Sequence, residues 1–484
     1  MIAVVFAAQA GLLAITMGES LYDEPYHLKA IRYFAHGGSP WGAQPDTLVG
    51  VGDVERYGSY LYHWLLSYPW RWSAGLGFED QRVVVRLVTV GIVTGALFAI
   101  RRLGRVMGLS GLASNVVVLL VAAVPMTTFL AATVNYDNLA FLLLPLMWIP
   151  AVRLLRADRI DGYAWALFLM AAAALSISKY TMLPLIAVTG IGVLVAQARV
   201  LVRRRGRALS RWRWRTGPIA ATVGALVAVA AVVERYVLNV VRYGTVQPDC
   251  ADVQSVSICM TWGPWGRNFE LDAAYPDDPF SVAGLFDFVT HDWLPGMMTS
   301  WTLFPVRADD AVSATNGAHV LGTILVIAVV GVLALPVLGP RAALARPAGL
   351  TLLLASGGYL AALLVENYAA VRELGEVLGV QGRYLQPLLA PILILAARSL
   401  TMILAANGRG VGIAMRWGGA VLLAVGLSQT AGLIGVLARS DTAWFRDTGA
   451  TGVIEHLRDS AQAMVLDDEL IPDLRRLAVD PEGG

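Results

Sequence analysis

The residues best suited to chemistry lie in a short polar stretch near the start of the chain: Gly18-Glu19-Ser20-Leu21-Tyr22-Asp23-Glu24-Pro25-Tyr26-His27-Leu28-Lys29. It follows directly on an apolar run over 1–17, so three carboxylates, a histidine and a lysine sit at the mouth of a membrane helix. A carboxylate ionised at a membrane surface can act as a general base. Asp23 and Glu24 are the candidate catalytic pair, and the residues leave open which of them is the base. The spacing predicts a short amphipathic surface helix over 24–34, with Tyr26, Leu28, Ile31, Tyr33 and Phe34 on its apolar side. Pro25 would fall in its first turn, where a missing N–H is tolerated. On the alternative reading Asp23 is only the helix cap and Glu24 a first-turn charge.

Further polar sites recur at intervals. Asn135-Tyr136-Asp137-Asn138 opens an apolar run, and an acid there must face protein or a cavity rather than lipid. Lys179 stands in a two-span turn amid apolar neighbours. Gln381-Gly382-Arg383-Tyr384-Leu385-Gln386-Pro387 opens a late apolar run. Cations at that depth need a counter-charge. With no dedicated acidic partner evident in sequence, Lys179 and Arg383 are expected to bind an anion such as a lipid phosphate. The alternative pairs Lys179 with Asp137, and Arg383 with Glu366 or Glu376. The stretch 57–72, from Tyr57 through His63 to Trp72, is dense in aromatics. It suits an interfacial helix or a stacking wall for a sugar or isoprenoid.

These sites need a membrane scaffold to bring them together. The chain has 484 residues, of which 57% are hydrophobic and only 15% charged; its mean hydropathy is +0.61. A soluble domain carries about 25% charged residues, so this is an all-α polytopic membrane protein. Eleven spans are predicted, at about 1–18, 83–100, 112–131, 137–153, 162–178, 180–198, 217–238, 318–338, 348–366, 382–403 and 413–437. The fifth and sixth could form a re-entrant pair. The first lacks a basic leading segment and reads as a retained span rather than a cleaved signal. With the N-terminus cytoplasmic, the inner loops 101–110, 151–161, 199–215, 339–347 and 405–416 hold 18 Arg in 59 residues. The opposite loops 19–82, 131–136, 178–181, 239–317 and 367–383 hold 11 Lys/Arg in 170 residues. That asymmetry places the basic loops inside and the long loops 19–82 and 239–317 outside. The Arg203–Arg215 run, with Trp212 and Trp214, is a topological anchor at the headgroups rather than a nucleic-acid site. The module is expected to cover 1–438, followed by a short outward-facing tail over 439–484. Cys250 and Cys259, the two cysteines, share one outer loop. An outward face favours a disulfide between them over two free thiols. Their spacing does not suggest a metal site.

Taken together these stretches resemble the GT-C superfamily of membrane glycosyltransferases, and most closely an uncharacterised bacterial branch. That branch has an Asp-Glu-Pro-x-His motif after the first span, here Asp23-Glu24-Pro25-Tyr26-His27. It has a Gly-Arg-Tyr-x-x-Pro motif at a late span, here Gly382-Arg383-Tyr384-Leu385-Gln386-Pro387. Tyr136-Asp137 resembles the second acidic motif of the superfamily, Ser178-Lys179-Tyr180-Thr181 its lysine motif, and 57–65 its first-loop aromatic helix. The resemblance implies a multi-helix module with two interfacial helices in the first outer loop. It implies a polyprenyl-phosphate sugar donor, a glycan or lipid acceptor, and an active site on the outer face of a bacterial plasma membrane. The general base would be Asp23, the reaction inverting. Substrate contacts are expected from His27, Lys29, Tyr57, His63, Asp137, Lys179, Arg383 and Tyr384. The chain lacks the family's Asp-x-Asp metal motif in that loop, so no metal or other cofactor is expected. Two rival readings use the same residues: a transporter or flippase of lipid-linked sugars, and a non-catalytic subunit of an envelope assembly. In the latter, the loop 243–317, with Trp262, Trp265, Trp293 and Trp301, would be a docking surface.

Overall fold

The computed structural model describes residues 1–18, 23–41, 50–52, 54, 56–203, 216–275, 279–302, 346–406, 432–438, 440 and 442–466. Within them, six helices are long and apolar enough to cross a membrane, or seven if one bent pair counts as a single span. They include α4 (Phe78–Val106), α7 (Asp137–Arg156), α9 (Leu183–Arg203, preceded by a 3₁₀ turn at Tyr180–Met182) and α10 (Thr216–Val232, continued to Tyr243). The later two are Pro347–Leu374 and Gly382–Ile403. Two further expected spans are shorter apolar helices, α1 (Ile2–Thr16) and α8 (Gly162–Ser178). Nine of the eleven predicted spans thus coincide with described helices. The span 318–338 lies outside the described residues, as does 413–437 except for Gly432–Leu437, and as do Trp212 and Trp214.

The span expected over 112–131 is not one rod. It divides into α5 (Gly111–Ala123) and α6 (Pro125–Ala131), bent by 71°. Pro125 supplies no N–H, and it forces Val124 before it into an extended conformation, ψ 121°. The Thr127 hydroxyl donates to the carbonyl of Val121 at 2.8 Å, meeting an acceptor that the break exposes.

α7 sits at the centre, packed between α4 and α8, with Trp148 wholly buried. Small residues allow close approach elsewhere, as where Gly192 of α9 meets Thr351: a Cβ there would come within 2.6 Å of the threonine side chain. The α10 helix buries little of itself and presents Val223, Leu226 and Val227 outward, as a lipid-facing helix does. Its continuation is a π turn at Val233–Val237, and this extra residue per turn directs the buried Arg235 toward the first loop.

The first loop folds as the residue pattern requires. Leu28 and Ile31 of α2 (Glu24–Ala35) pack against Tyr62, Leu66 and Trp70 of α3 (Leu61–Trp72). The second long loop closes over it. Cys250 and Cys259 are joined as a disulfide, Cα–Cα 5.8 Å. Just beyond the bridge, Trp262 stacks on Tyr26 with ring centres 5.6 Å apart. It also covers Gly52, where a φ of +59° would strain any side chain and contact with the indole leaves no room for one. Gly50 N–H donates to Thr261 at 2.9 Å, and Arg56 reaches Asn239 at 2.9 Å and Glu234 at 3.0 Å. The segment expected as a separate tail packs back on the bundle: Ile454 and Ala461 join the main core, and Gly18 N–H donates to Trp444 O at 2.7 Å.

Candidate active site

Asp23 occupies the cap position of α2, but its side chain makes no capping hydrogen bond. Its φ is +47°, unlike that of any other described non-glycine residue. Aspartate tolerates this region better than most residues; even so, strain of about 1–3 kcal/mol persists only where the surroundings impose it. Half-exposed, its carboxylate accepts from Arg383 Nη2 at 2.6 Å, while the arginine is buried. The expectation of a cation lacking an acidic partner is thus corrected for Arg383. Its partner is Asp23, 360 positions away, rather than Glu366 or Glu376.

For Lys179 the expectation of a cation without an acidic partner gives way to the alternative, pairing with Asp137. Wholly buried at the C-terminal end of α8, it donates to Asp137 Oδ1 at 2.5 Å. Asp137 opens α7, where the helix N-terminus favours an anion. A desolvated cation without such a partner would be strongly unfavourable. The two pairs adjoin. The Tyr384 ring lies 4.6 Å from Lys179 Nζ and 5.3 Å from the Arg383 guanidinium, with Tyr136 on another side of Lys179 at 5.5 Å. Four distant segments therefore converge at one end of the bundle.

His27, one turn after Asp23, is buried and shares a 2.8 Å hydrogen bond with His63 of α3, Nδ1 to Nε2. The rings stack at 5.1 Å, and Tyr136 meets His27 edge-on at 5.0 Å. Burial, with His63, Arg383 and Lys179 adding to it, holds His27 well below its ordinary range, and burial holds His63 at about 3. The pair is therefore neutral, one ring donating and the other accepting. The outer nitrogen of His27, Nε2, is buried without a hydrogen-bond partner among the described residues.

Tyr57 packs edge-on to Tyr26 and Tyr180 at 6.5 and 6.0 Å. Burial, and then Tyr136 and Tyr26, push its phenol well up, so it stays a protonated donor. Lys29 is exposed on α2, and its ammonium lies along Gly50 instead of joining the charged pairs.

Glu24 departs most from expectation. It is wholly buried, and its two oxygens take Arg86 Nε at 2.8 Å and Nη2 at 2.5 Å; Oε1 also accepts Val134 N–H at 2.9 Å. It is a structural anchor set apart from the Asp23 carboxylate. Arg86 is the residue that sequence reasoning missed. The signal was present: an arginine inside the expected span 83–100 needs a carboxylate partner.

No group of three or more His, Cys, Asp or Glu side chains is placed to hold a metal ion among the described residues. What the arrangement offers is a half-exposed carboxylate beside buried cations, roofed by aromatic rings. No protein-family model matches the chain, and no curated protein sequence matches it. Two solved structures are similar to it. One is ArnT from Cupriavidus metallidurans bound to undecaprenyl phosphate, at 16% identity and TM-score 0.46, covering 98% of this chain and 72% of that one. The other is its apo state, at 16% identity and TM-score 0.40, covering 96% and 74%.

Proposed function

We propose that the chain is a GT-C-type membrane glycosyltransferase that moves a sugar from a polyprenyl-phosphate donor to a hydroxyl of a glycan or lipid acceptor on the outer face of a bacterial plasma membrane. The observation that carries this reading is the Asp23–Arg383 contact at 2.6 Å. It joins the motif after the first span to the motif at the start of a late span, with Lys179 across the Tyr384 ring.

The acceptor hydroxyl gives its proton to Asp23 as its oxygen attacks the anomeric carbon. The bond from that carbon to the phosphate oxygen breaks, and polyprenyl phosphate leaves with the electron pair. A single displacement inverts the anomeric centre. Arg383 and Lys179 offset the charge growing on the phosphate. Asp23, rather than Glu24, is the base, because both Glu24 oxygens are engaged by Arg86. The neutral His27–His63 pair and Tyr57 line the acceptor side. Asp137 holds Lys179 in place.

Asp23→Asn keeps the side-chain shape and removes the base. In membranes given a radiolabelled polyprenyl-phosphate sugar, its transfer rate is expected to fall about 10²–10⁴-fold at unchanged protein level. Near-normal turnover would remove Asp23 from the chemistry. Movement of the donor across vesicles without transfer would replace the enzyme with a flippase. Neither activity would favour an assembly subunit.

A further inference from the structure

We propose that Arg86 is a positioning residue that sets the strained backbone of Asp23, an inference that rests on reading Asp23 as the base. Arg86 lies on α4 with its side chain wholly buried. Beyond its two bonds to Glu24, Nη1 donates to Met17 O at 2.6 Å and Ala14 O at 3.3 Å, and Nη2 donates to Gly18 O at 2.5 Å. Ala14 lies in the last turn of α1, Met17 is its cap and Gly18 follows it, so these carbonyls lack a partner within the helix. Glu24 is the first residue of α2. One guanidinium thus holds both ends of the connection 18–24, and Asp23 is the residue immediately before the second clamp.

The clamp reaches further. Glu24 Oε1 also takes Val134 N–H, three residues before Asp137. Arg86 therefore fixes the Asp23 connection relative to the segment that leads into the Asp137–Lys179 pair. A rigid planar fork is needed for this: it meets a carboxylate side-on while directing other donors to carbonyls in the same plane. A lysine keeps the charge but offers a point donor. With the fork gone, the Met17 and Gly18 carbonyls and the Glu24 carboxylate lose their common donor, and reacting groups misplaced by about 1 Å lose about 10²-fold in rate.

Arg86→Lys is expected to lower kcat about 10²-fold while KM for the lipid-linked donor stays within about twofold. Binding of undecaprenyl phosphate should be unchanged, because Arg383 and Lys179 are untouched. Arg56→Lys is the control. It disturbs a comparable buried fork, to Asn239 and Glu234, without contacting 14–24; its kcat should stay near wild type. Equal kcat losses in the two variants would overturn the proposal, as would a fall in donor binding matching the fall in rate. A readout independent of activity is hydrogen exchange: the Asp23–Leu28 amides should exchange faster in Arg86→Lys, with those of Phe141–Leu144 unchanged. Unaltered exchange at Asp23–Leu28 would also overturn it. If Arg86→Lys fails to accumulate, Glu24→Asp keeps the charge pair while shortening the reach of the carboxylate to the guanidinium, and is read identically. Wild-type protein without transferase activity would sink the glycosyltransferase reading, while the exchange result would still decide the clamp.

Discussion

Asp23 and His27 stand one helical turn apart, yet the fold gives them opposite environments. The carboxylate is half-exposed and tied to a cation; the imidazole is buried against a second imidazole. The histidine pair makes stability depend on pH in a defined sense. Both rings are held below 6.5 in the folded protein, His63 at about 3, whereas the unfolded chain titrates near 6.5. Below pH 6.5 the unfolded state therefore binds more protons, and stability falls with pH until the folded-state value is reached. The apparent Tm of purified protein should drop between pH 7 and 4.5, and His63→Gln should make the drop shallower. Identical slopes would show that the pair does not titrate on unfolding. At this scale the types of Asp23, His27, Asp137, Lys179 and Arg383 were legible, and the Lys179–Asp137 pair stood as an alternative, but the pairing of Asp23 with Arg383 was not legible. Asp23 and Arg383 are 360 positions apart, and no local pattern joins them.

At the scale of elements, α2 was readable because its apolar positions repeat at helical spacing, and α3 because its aromatics suit an interfacial helix. The break between α5 and α6 was readable in principle from Pro125, since a proline ends or kinks a helical pattern at the preceding residue. The uninterrupted apolar composition of 112–131 masked it. How the second long loop folds was not readable, because its short helices have no strong period. It clasps the first loop through Trp262 on Tyr26 and Thr261 on Gly50, within three residues of Cys259. Replacing Cys250 and Cys259 with serine should therefore loosen the cover of the site as well as the loop itself. The expected loss is about 2–4 kcal/mol. It would be read as a lower apparent Tm and faster proteolysis within 245–262. Unchanged proteolysis would mean that the clasp holds without the bridge.

For the whole molecule, the arginine asymmetry makes a claim about orientation that cysteine labelling can check. Both native cysteines are bridged, so an introduced thiol reports alone. Ala74→Cys, exposed just after α3, should react with a membrane-impermeant maleimide in intact cells. Arg159→Cys, exposed between α7 and α8, should react only after permeabilisation. The reverse pattern would turn the site toward the cytoplasm and rule out an extracytoplasmic acceptor. The contact of Arg446 with Glu79 at 3.2 Å places the chain after Gly432–Leu437 on the same side as the first loop.

The sequence by itself determined that this chain is helical and lives in a membrane, because hydropathy and charge act on each segment locally: a run of apolar residues must bury its backbone bonds within itself wherever it sits. It also determined which residues could do chemistry, since an ionisable side chain near lipid is costly unless it has a purpose. Only the tertiary structure decided which charge meets which. Glu24 and Asp23 are adjacent in the chain and chemically alike, but one turns inward to Arg86 and the other outward to Arg383. Desolvation makes each buried cation take a carboxylate partner, and the helix packing chooses that partner.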